Sequence, residues 1–301
     1  MPTGPADGLV ATRLHGRLLR WYDDNARDLP WRREDAGPWS VMVSEFMLQQ
    51  TPVARVLPVH RTWLARWPTP AALADAPAGE AVRAWGRLGY PRRALRLHAA
   101  ATAVVERHGG QVPSGYAELR ELPGIGDYTA AAIASFAFGE RHAVLDTNVR
   151  RVLARAVRGE VLPAPSVTRA EREIAGTLVP DRDPARWAVA VMELGALVCT
   201  ATGPRCAACP IADLCAWRAA GSPAYAGPPR KVQRYAGTDR QCRGALLAVL
   251  RDADGPVGRA EVDAAWPDAR QRERALAGLL DDGLVVEQAG QGDEVRTWAL
   301  P

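Results

Sequence analysis

Apolar side chains recur at helical spacing along most of the first two-thirds of the chain. Recurrence at i, i+3, i+4 and i+7 marks helices that bury one face. It predicts helices over Leu9–Asp23, Ser40–Thr51, Val53–Trp67, Pro70–Ala76, Pro77–Leu88 and Arg92–His108. Further helices are predicted over Tyr116–Leu122, Tyr128–Phe138, Thr147–Val157, Thr168–Leu178 and Pro184–Cys199. Between them fall Leu29-Pro30, Trp67-Pro68, His108-Gly109-Gly110 and Leu122-Pro123-Gly124, where a helix cannot easily continue. No alternating pattern precedes residue 280. Gly221–Tyr235 is rich in Pro and Gly, carries Arg230, Lys231 and Arg234, and reads as a linker. Beyond it come three amphipathic segments, Asp239–Arg251, Gly258–Trp266 and Asp268–Leu280, then two short strand patterns, Leu284–Gln288 and Val295–Leu300. Three helices followed by a two-stranded wing is a winged-helix order, so the expectation is a mainly α fold with a small C-terminal module.

A chain of 301 residues, 48% hydrophobic, can form one large domain or two to three ordinary ones. No apolar run reaches the ~18 residues of a membrane span, and Met1–Gly8 holds no signal-peptide core. A soluble, cytoplasmic protein is expected, with no membrane partner. The net charge of +4 does not by itself announce a nucleic-acid partner. Its distribution changes the picture: residues 221–301 hold 11 basic and 12 acidic side chains, leaving 27 against 22 in residues 1–220. Every basic side chain except Lys231 is Arg, which limits the amine chemistry open to the protein.

Four of five cysteines crowd into Cys199, Cys206, Cys209 and Cys215. Four thiols in one short loop can wrap an iron–sulfur cubane. Structural zinc is the rival, although four-cysteine zinc sites more often show two C-x2-C knuckles and only one is present. The spacing favours iron–sulfur and leaves both open. Cys242 stands apart and reads as a small apolar core residue.

Leu122-Pro123-Gly124-Ile125-Gly126-Asp127-Tyr128-Thr129 joins two helices through a Gly-x-Gly hairpin. Gly124 and Gly126 permit a tight turn and close approach of a phosphate, toward which the next helix presents free N–H groups. Such a helix–hairpin–helix grips DNA without reading its sequence, though a plain helical turn has the same pattern. Asp146, in Leu145-Asp146-Thr147-Asn148-Val149-Arg150-Arg151, opens an Arg-studded helix, where it can serve as an N-cap. Glu45 has Val41, Met42 and Leu48 as helical neighbours. A carboxyl against apolar walls resists ionisation and can donate a proton near neutral pH; a Glu reaching solvent from a helix edge is the plainer alternative.

Taken together, these residues resemble the helix–hairpin–helix DNA glycosylases, and within them the MutY-type adenine glycosylases. The resemblance runs from about residue 14 to 217 through Leu29-Pro30-Trp31-Arg32, Val43-Ser44-Glu45-Phe46-Met47-Leu48-Gln49-Gln50-Thr51, Leu88-Gly89-Tyr90, the hairpin, Leu145–Arg155, Met192-Glu193-Leu194-Gly195-Ala196 and the four cysteines. It implies a [4Fe–4S] cluster on the cysteine loop. It also implies monomeric base-excision repair of mismatched or damaged duplex DNA, hydrolysing the bond to adenine opposite 8-oxoguanine or guanine. Glu45 would protonate the departing base and Asp146 would stabilise the oxocarbenium-like sugar, the two-carboxylate logic of retaining glycosidases. Tyr128 and Asn148 would support the reaction centre. Gln49, Gln50 and Tyr90, with the glutamines at the end of the predicted helix, would fill the space left by a flipped nucleotide. Gly124, Gly126 and Arg32 would contact DNA. Expected domains are 1–31 with the cluster domain, a six-helix barrel over 32–141, the cluster domain over 142–220, a linker over 221–235 and the winged-helix-like module over 236–301. The active site is expected between barrel and cluster domain. Two departures stand out: Gly89-Tyr90-Pro91 replaces the usual Gly-Tyr-Tyr but keeps the Tyr90 wedge, and Val189 stands where Gln or Glu commonly grips adenine, which weakens the case for adenine. A T·G or U·G mismatch glycosylase and a non-catalytic DNA-binding protein are therefore the alternatives. The single lysine implies an enzyme that does not nick the strand, because nicking requires an amine nucleophile.

Overall fold

The computed structural model describes residues 5–227, 235–289 and 296–301, with side chains from residue 12 onward. The described helices are α1 (Pro5–Asn25), α2 (Pro38–Leu48), α3 (Val53–Arg66), α4 (Pro70–Ala74), α5 (Ala78–Trp85), α6 (Arg92–His108), α7 (Tyr116–Arg120) and α8 (Asp127–Phe138). They continue with α9 (Thr147–Ala156), α10 (Arg169–Leu178), α11 (Pro184–Leu197), α12 (Ala216–Ala219), α13 (Asp239–Asp252), α14 (Arg259–Ala265) and α15 (Ala269–Asp281). Strands β1 (Val286–Ala289) and β2 (Arg296–Ala299) pair antiparallel, with Val286 opposite Ala299. Among the described residues no helix is long and apolar enough to cross a membrane.

The described chain divides into two compact units. The first takes residues 5–42, 114–121 and 125–227. Its core follows the helical repeat of α11, where Trp187, Ala190, Val191, Leu194 and Val198 meet Leu14 and Leu18 of α1 and Val149 and Val152 of α9. Full burial of each large aliphatic side chain contributes roughly 1.5–3 kcal/mol. Within that core α11 carries one charge, Glu193, whose side chain is wholly buried. Arg27 donates to it through Nε and Nη2, both at 2.7 Å, and Arg32 through Nη1 at 2.8 Å. Burial would raise this carboxyl, but the two arginines outweigh it and hold Glu193 below the usual carboxylate range. A second buried pair, Arg150 with Glu171 at 3.0 Å, ties α9 to the capping box that starts α10.

The second unit takes residues 43–113, 122–124, 235–289 and 296–301. Trp63 of α3 sits edge-on to Trp85 of α5 at 5.8 Å, a favoured aromatic geometry. α6 contributes Ala94, Leu97, Ala101 and Val104 to the buried set. The C-terminal module has the expected order of three helices and a hairpin, with Cys242, Leu246, Leu250, Leu276, Leu279 and Trp298 buried. It also makes direct bonds to α5. Arg83 Nη1 donates to the carbonyls of Arg251 and Ala253, and Arg251 Nε donates to the Val82 carbonyl at 3.0 Å.

This division differs from the expected boundaries. Residues 127–138, assigned by sequence to the barrel, fall with the first unit, because Ala131 and Ala132 of α8 pack with Val144 and Ala188. The module falls with the second unit through its bonds to α5. Residues 221–227 are exposed and irregular as a linker requires; the rest of the expected linker, Lys231 included, and Val295 of the last strand lie outside the described residues apart from Tyr235.

Candidate active site and cysteine loop

Asp146 begins α9 in extended conformation and caps it, its Oδ1 accepting from the Val149 N–H at 2.6 Å. Its Oδ2 accepts from Asn148 Nδ2 at 2.8 Å. The capping expectation is therefore met, and it is also what fixes the carboxylate in one orientation. Burial raises the Asp146 carboxyl above its usual value, against the opposing pull of the bonds from Val149 and Asn148. Asn148 is itself held: its Oδ1 accepts from Arg151 Nη2 at 2.8 Å. Arg151 continues to the Gly195 and Cys199 carbonyls, both at 2.6 Å. At Gly195 a Cβ would stand 2.7 Å from Asn148 Cβ, so only glycine lets α11 approach this closely. Tyr128 lies half-buried against the cluster of Ala131, Ala132, Val144 and Ala188, which Met192 also joins. Val189 is half-buried on α11.

The hairpin ahead of α8 uses its two glycines differently. Gly124 has φ of +79°, and a Cβ there would meet Arg96 Cβ at 2.7 Å and Phe46 at 3.0 Å. Gly126, the N-cap of α8, has φ of −95° with open space around it. Its value is access to the amide end of the helix rather than the turn. Asp127, in the first turn, is exposed and accepts from Arg120 Nε at 2.8 Å.

Glu45 belongs to the second unit and is 4% exposed, between Ser44 and Phe46, which are buried as well. The helix-edge alternative does not hold, since the side chain is inside. Gln49 and Gln50 are not helical as expected: α2 stops at Leu48, and Gln50 turns into the left-handed region at φ of 57°. Tyr90, 52% exposed, follows Gly89 with φ of 47°, between α5 and α6. Arg32, expected to contact DNA, donates through Nη1 to buried Glu193.

The four cysteines lie around the loop after α11, each half-buried. Cys206 and Cys209 flank a single 3-10 turn, and Cys215 precedes α12. Arg155, fully enclosed, donates to Cys199 Sγ at 3.3 Å and to the Thr200 carbonyl at 2.8 Å, and its own carbonyl lies 3.5 Å from Cys215 Sγ. Arg205 folds back onto the Leu197 carbonyl at the end of α11. Among the described residues, no three Cys, His, Asp or Glu side chains converge on a point that would hold a single metal ion. Arg151, Arg155 and Gly195 were visible in the sequence but gave no sign of these roles. Their one signal is position, because two arginines on the apolar side of α9 must find buried acceptors.

Residues 43–175 match the family described as HhH-GPD superfamily base excision DNA repair protein. The adenine DNA glycosylase of Mycobacterium tuberculosis is 56% identical over 272 residues, covering 89% of each chain. That of Mycolicibacterium smegmatis is 54% identical over 276 residues, covering 91% of this chain and 93% of the other. Among solved structures, a thermostable thymine-DNA glycosylase superposes with a TM-score of 0.65 at 26% identity, covering 71% of this chain and 99% of that one.

Proposed function

Because the chain belongs to the MutY-type adenine DNA glycosylases of the helix–hairpin–helix superfamily, we propose that it removes adenine opposite 8-oxoguanine or guanine. The observation that carries this reading is the fixed Asp146 carboxylate, with both oxygens oriented by Val149 and Asn148. In the proposed reaction the target nucleotide leaves the stack and Glu45 gives its proton to the departing base. The bond electrons leave with the base as the N-glycosidic bond breaks. Ionised Asp146 stabilises the cationic sugar that remains, and water completes the hydrolysis at the anomeric carbon. Glu45 is buried, and the cap suits Asp146 to stay in place. Gln49, Gln50 and Tyr90 occupy the emptied stack, while the amide end of α8 behind Gly126 meets a phosphate.

We assign the cysteine loop to a [4Fe–4S] cluster held by Cys199, Cys206, Cys209 and Cys215. Four thiols on one short loop with a single C-x2-C knuckle suit a polynuclear group better than one zinc ion. Arg155, bonded to Cys199 Sγ, offsets thiolate charge there. Bound, such a cluster supplies structural bracing of the loop and a centre able to change oxidation state.

The test is single-turnover base excision on A·8-oxoG, A·G, A·C, T·G and U·G duplexes. Adenine release is expected from the first two, and Glu45→Gln should bind DNA normally while losing at least about 10²-fold in rate. Borohydride should trap no covalent complex, because the chain's only amine side chain is Lys231. Thymine release without adenine release would transfer the assignment to the mismatch alternative. Zinc without iron in the native protein would overturn the cluster.

A further inference from the structure

Two non-glycine residues of the second unit with left-handed backbone, Gln50 and Tyr90, are the exposed members of the set proposed to fill the vacated stack. Neither conformation is one that an L-residue adopts without support. The support comes from one side chain that the proposed reaction does not use. Arg93, on the first turn of α6, is 4% exposed. Its Nη1 donates to the carbonyls of Phe46 at 2.9 Å, Met47 at 3.0 Å and Gln49 at 2.6 Å. These are carbonyls that the end of α2 leaves without intrahelical partners. Its Nη2 donates to the Gly89 carbonyl at 2.9 Å and to Thr51 Oγ1 at 2.9 Å. Thr51 Oγ1 in turn donates to the Leu88 carbonyl at 3.2 Å. The guanidinium also lies 5.1 Å from the Trp85 ring and 5.6 Å from the Tyr90 ring.

We infer that Arg93 is a positioning residue for recognition of the opposite strand, setting the joint placement of Gln49, Gln50 and Tyr90. One nitrogen ends α2 and so forces the glutamines out of the helix. The other anchors the carbonyl immediately before Tyr90. The two halves of the wedge therefore share one rigid planar support instead of moving as separate loops. Among the described residues, none of the hydrogen-bond partners of Arg93 is a carboxylate, and burial lowers its pKa to about 10. A buried cation held only by neutral acceptors is an expensive way to stabilise a fold, which points to a geometric purpose. Lysine, a single point charge, cannot reach both sets of acceptors at once.

This inference rests on the proposed wedge role of Gln49, Gln50 and Tyr90. Its test uses the full chain and compares single-turnover adenine excision from A·8-oxoG and A·G. In Arg93→Lys the ratio of the two rates should fall about tenfold, as expected when a contacting group is displaced. The acid limb of the pH profile on A·8-oxoG, set by Asp146, should stay in place. In a Gln50→Ala, Tyr90→Ala background, adding Arg93→Lys should change the ratio no further, because the pair acts as one unit. Thr51→Val removes the bridge to Leu88 together with one acceptor of the guanidinium, leaving its four carbonyl acceptors in place, and should lower the ratio in the same direction by less. It carries the test if Arg93→Lys does not fold. An unchanged ratio, or a full additional loss in the double-alanine background, overturns the inference. If the wild type releases no adenine, the glycosylase reading fails. The inference is then decided by 2-aminopurine beside the mismatch, whose fluorescence should rise on binding wild type and not on binding Arg93→Lys.

Discussion

The chemistry at Asp146 depends on competition between burial and two hydrogen bonds. Both bonds favour the ionised carboxylate, burial disfavours it, and burial prevails, so the group titrates above the ordinary 3.8. The proposed reaction needs the ion. Excision should therefore fall as pH drops through this raised value, with an acid limb displaced upward from that of a free aspartate. Asn148 donates one of the two bonds, at 2.8 Å. Asn148→Ala removes it, raises the Asp146 pKa further and should move the acid limb to still higher pH. The loss of rate should then be larger near pH 5 than at pH 8 in single-turnover profiles. A limb that moves to lower pH would show that Asn148 acts on something other than the carboxylate.

At the scale of elements, the hairpin separates two demands usually credited to one motif. Gly124 is needed for the turn itself, at φ of +79° with Arg96 and Phe46 against it, whereas Gly126 sits in open space at an ordinary φ. Gly124→Ala should cost about 1–3 kcal/mol of stability and weaken DNA binding with it. Gly126→Ala should leave the melting temperature in place and weaken only binding, by placing a methyl over the helix end. Equal thermal effects of the two would contradict this division. The hairpin was legible because Pro-Gly and the second Gly interrupt strong helical periodicity. The same periodicity predicts nearly every helix, the cysteine loop is legible from its spacing, and the roles of Glu45 and Asp146 come only from the family resemblance. The end of α2 was not legible: Gln49, Gln50 and Thr51 follow Leu48 with no breaker before Pro52, and the carbonyls freed there are taken up by Arg93, far along the chain. The role of Arg32 was hidden for the same reason, since its partner Glu193 lies 161 residues away. Local pattern reports propensity; these assignments needed tertiary partners.

At the scale of the whole molecule, the C-terminal module is fastened to α5 and is not merely appended. Arg83→Met removes the donors to the Arg251 and Ala253 carbonyls. It should cost about 2 kcal/mol, roughly 4–8 °C in Tm, measured by thermal melting. Deleting 236–301 should lower both stability and affinity for all duplexes while sparing the A·8-oxoG to A·G ratio. Loss of that ratio at unchanged stability would make the module a lesion reader. The first unit carries a different consequence, one of timing. Arg27 and Glu193 are 166 residues apart, and Leu14 and Leu18 are buried against a core that includes α11. At about 5–20 residues per second, roughly 10–30 s of synthesis pass between the two partners. Until then α1 must hold its apolar face without α11 to cover it, while much of the second unit has already emerged. A pause in translation before residue 184 lengthens the exposure and favours aggregation or chaperone capture. Slow synthesis should therefore lower the yield of folded protein without altering the stability of the molecules that do fold.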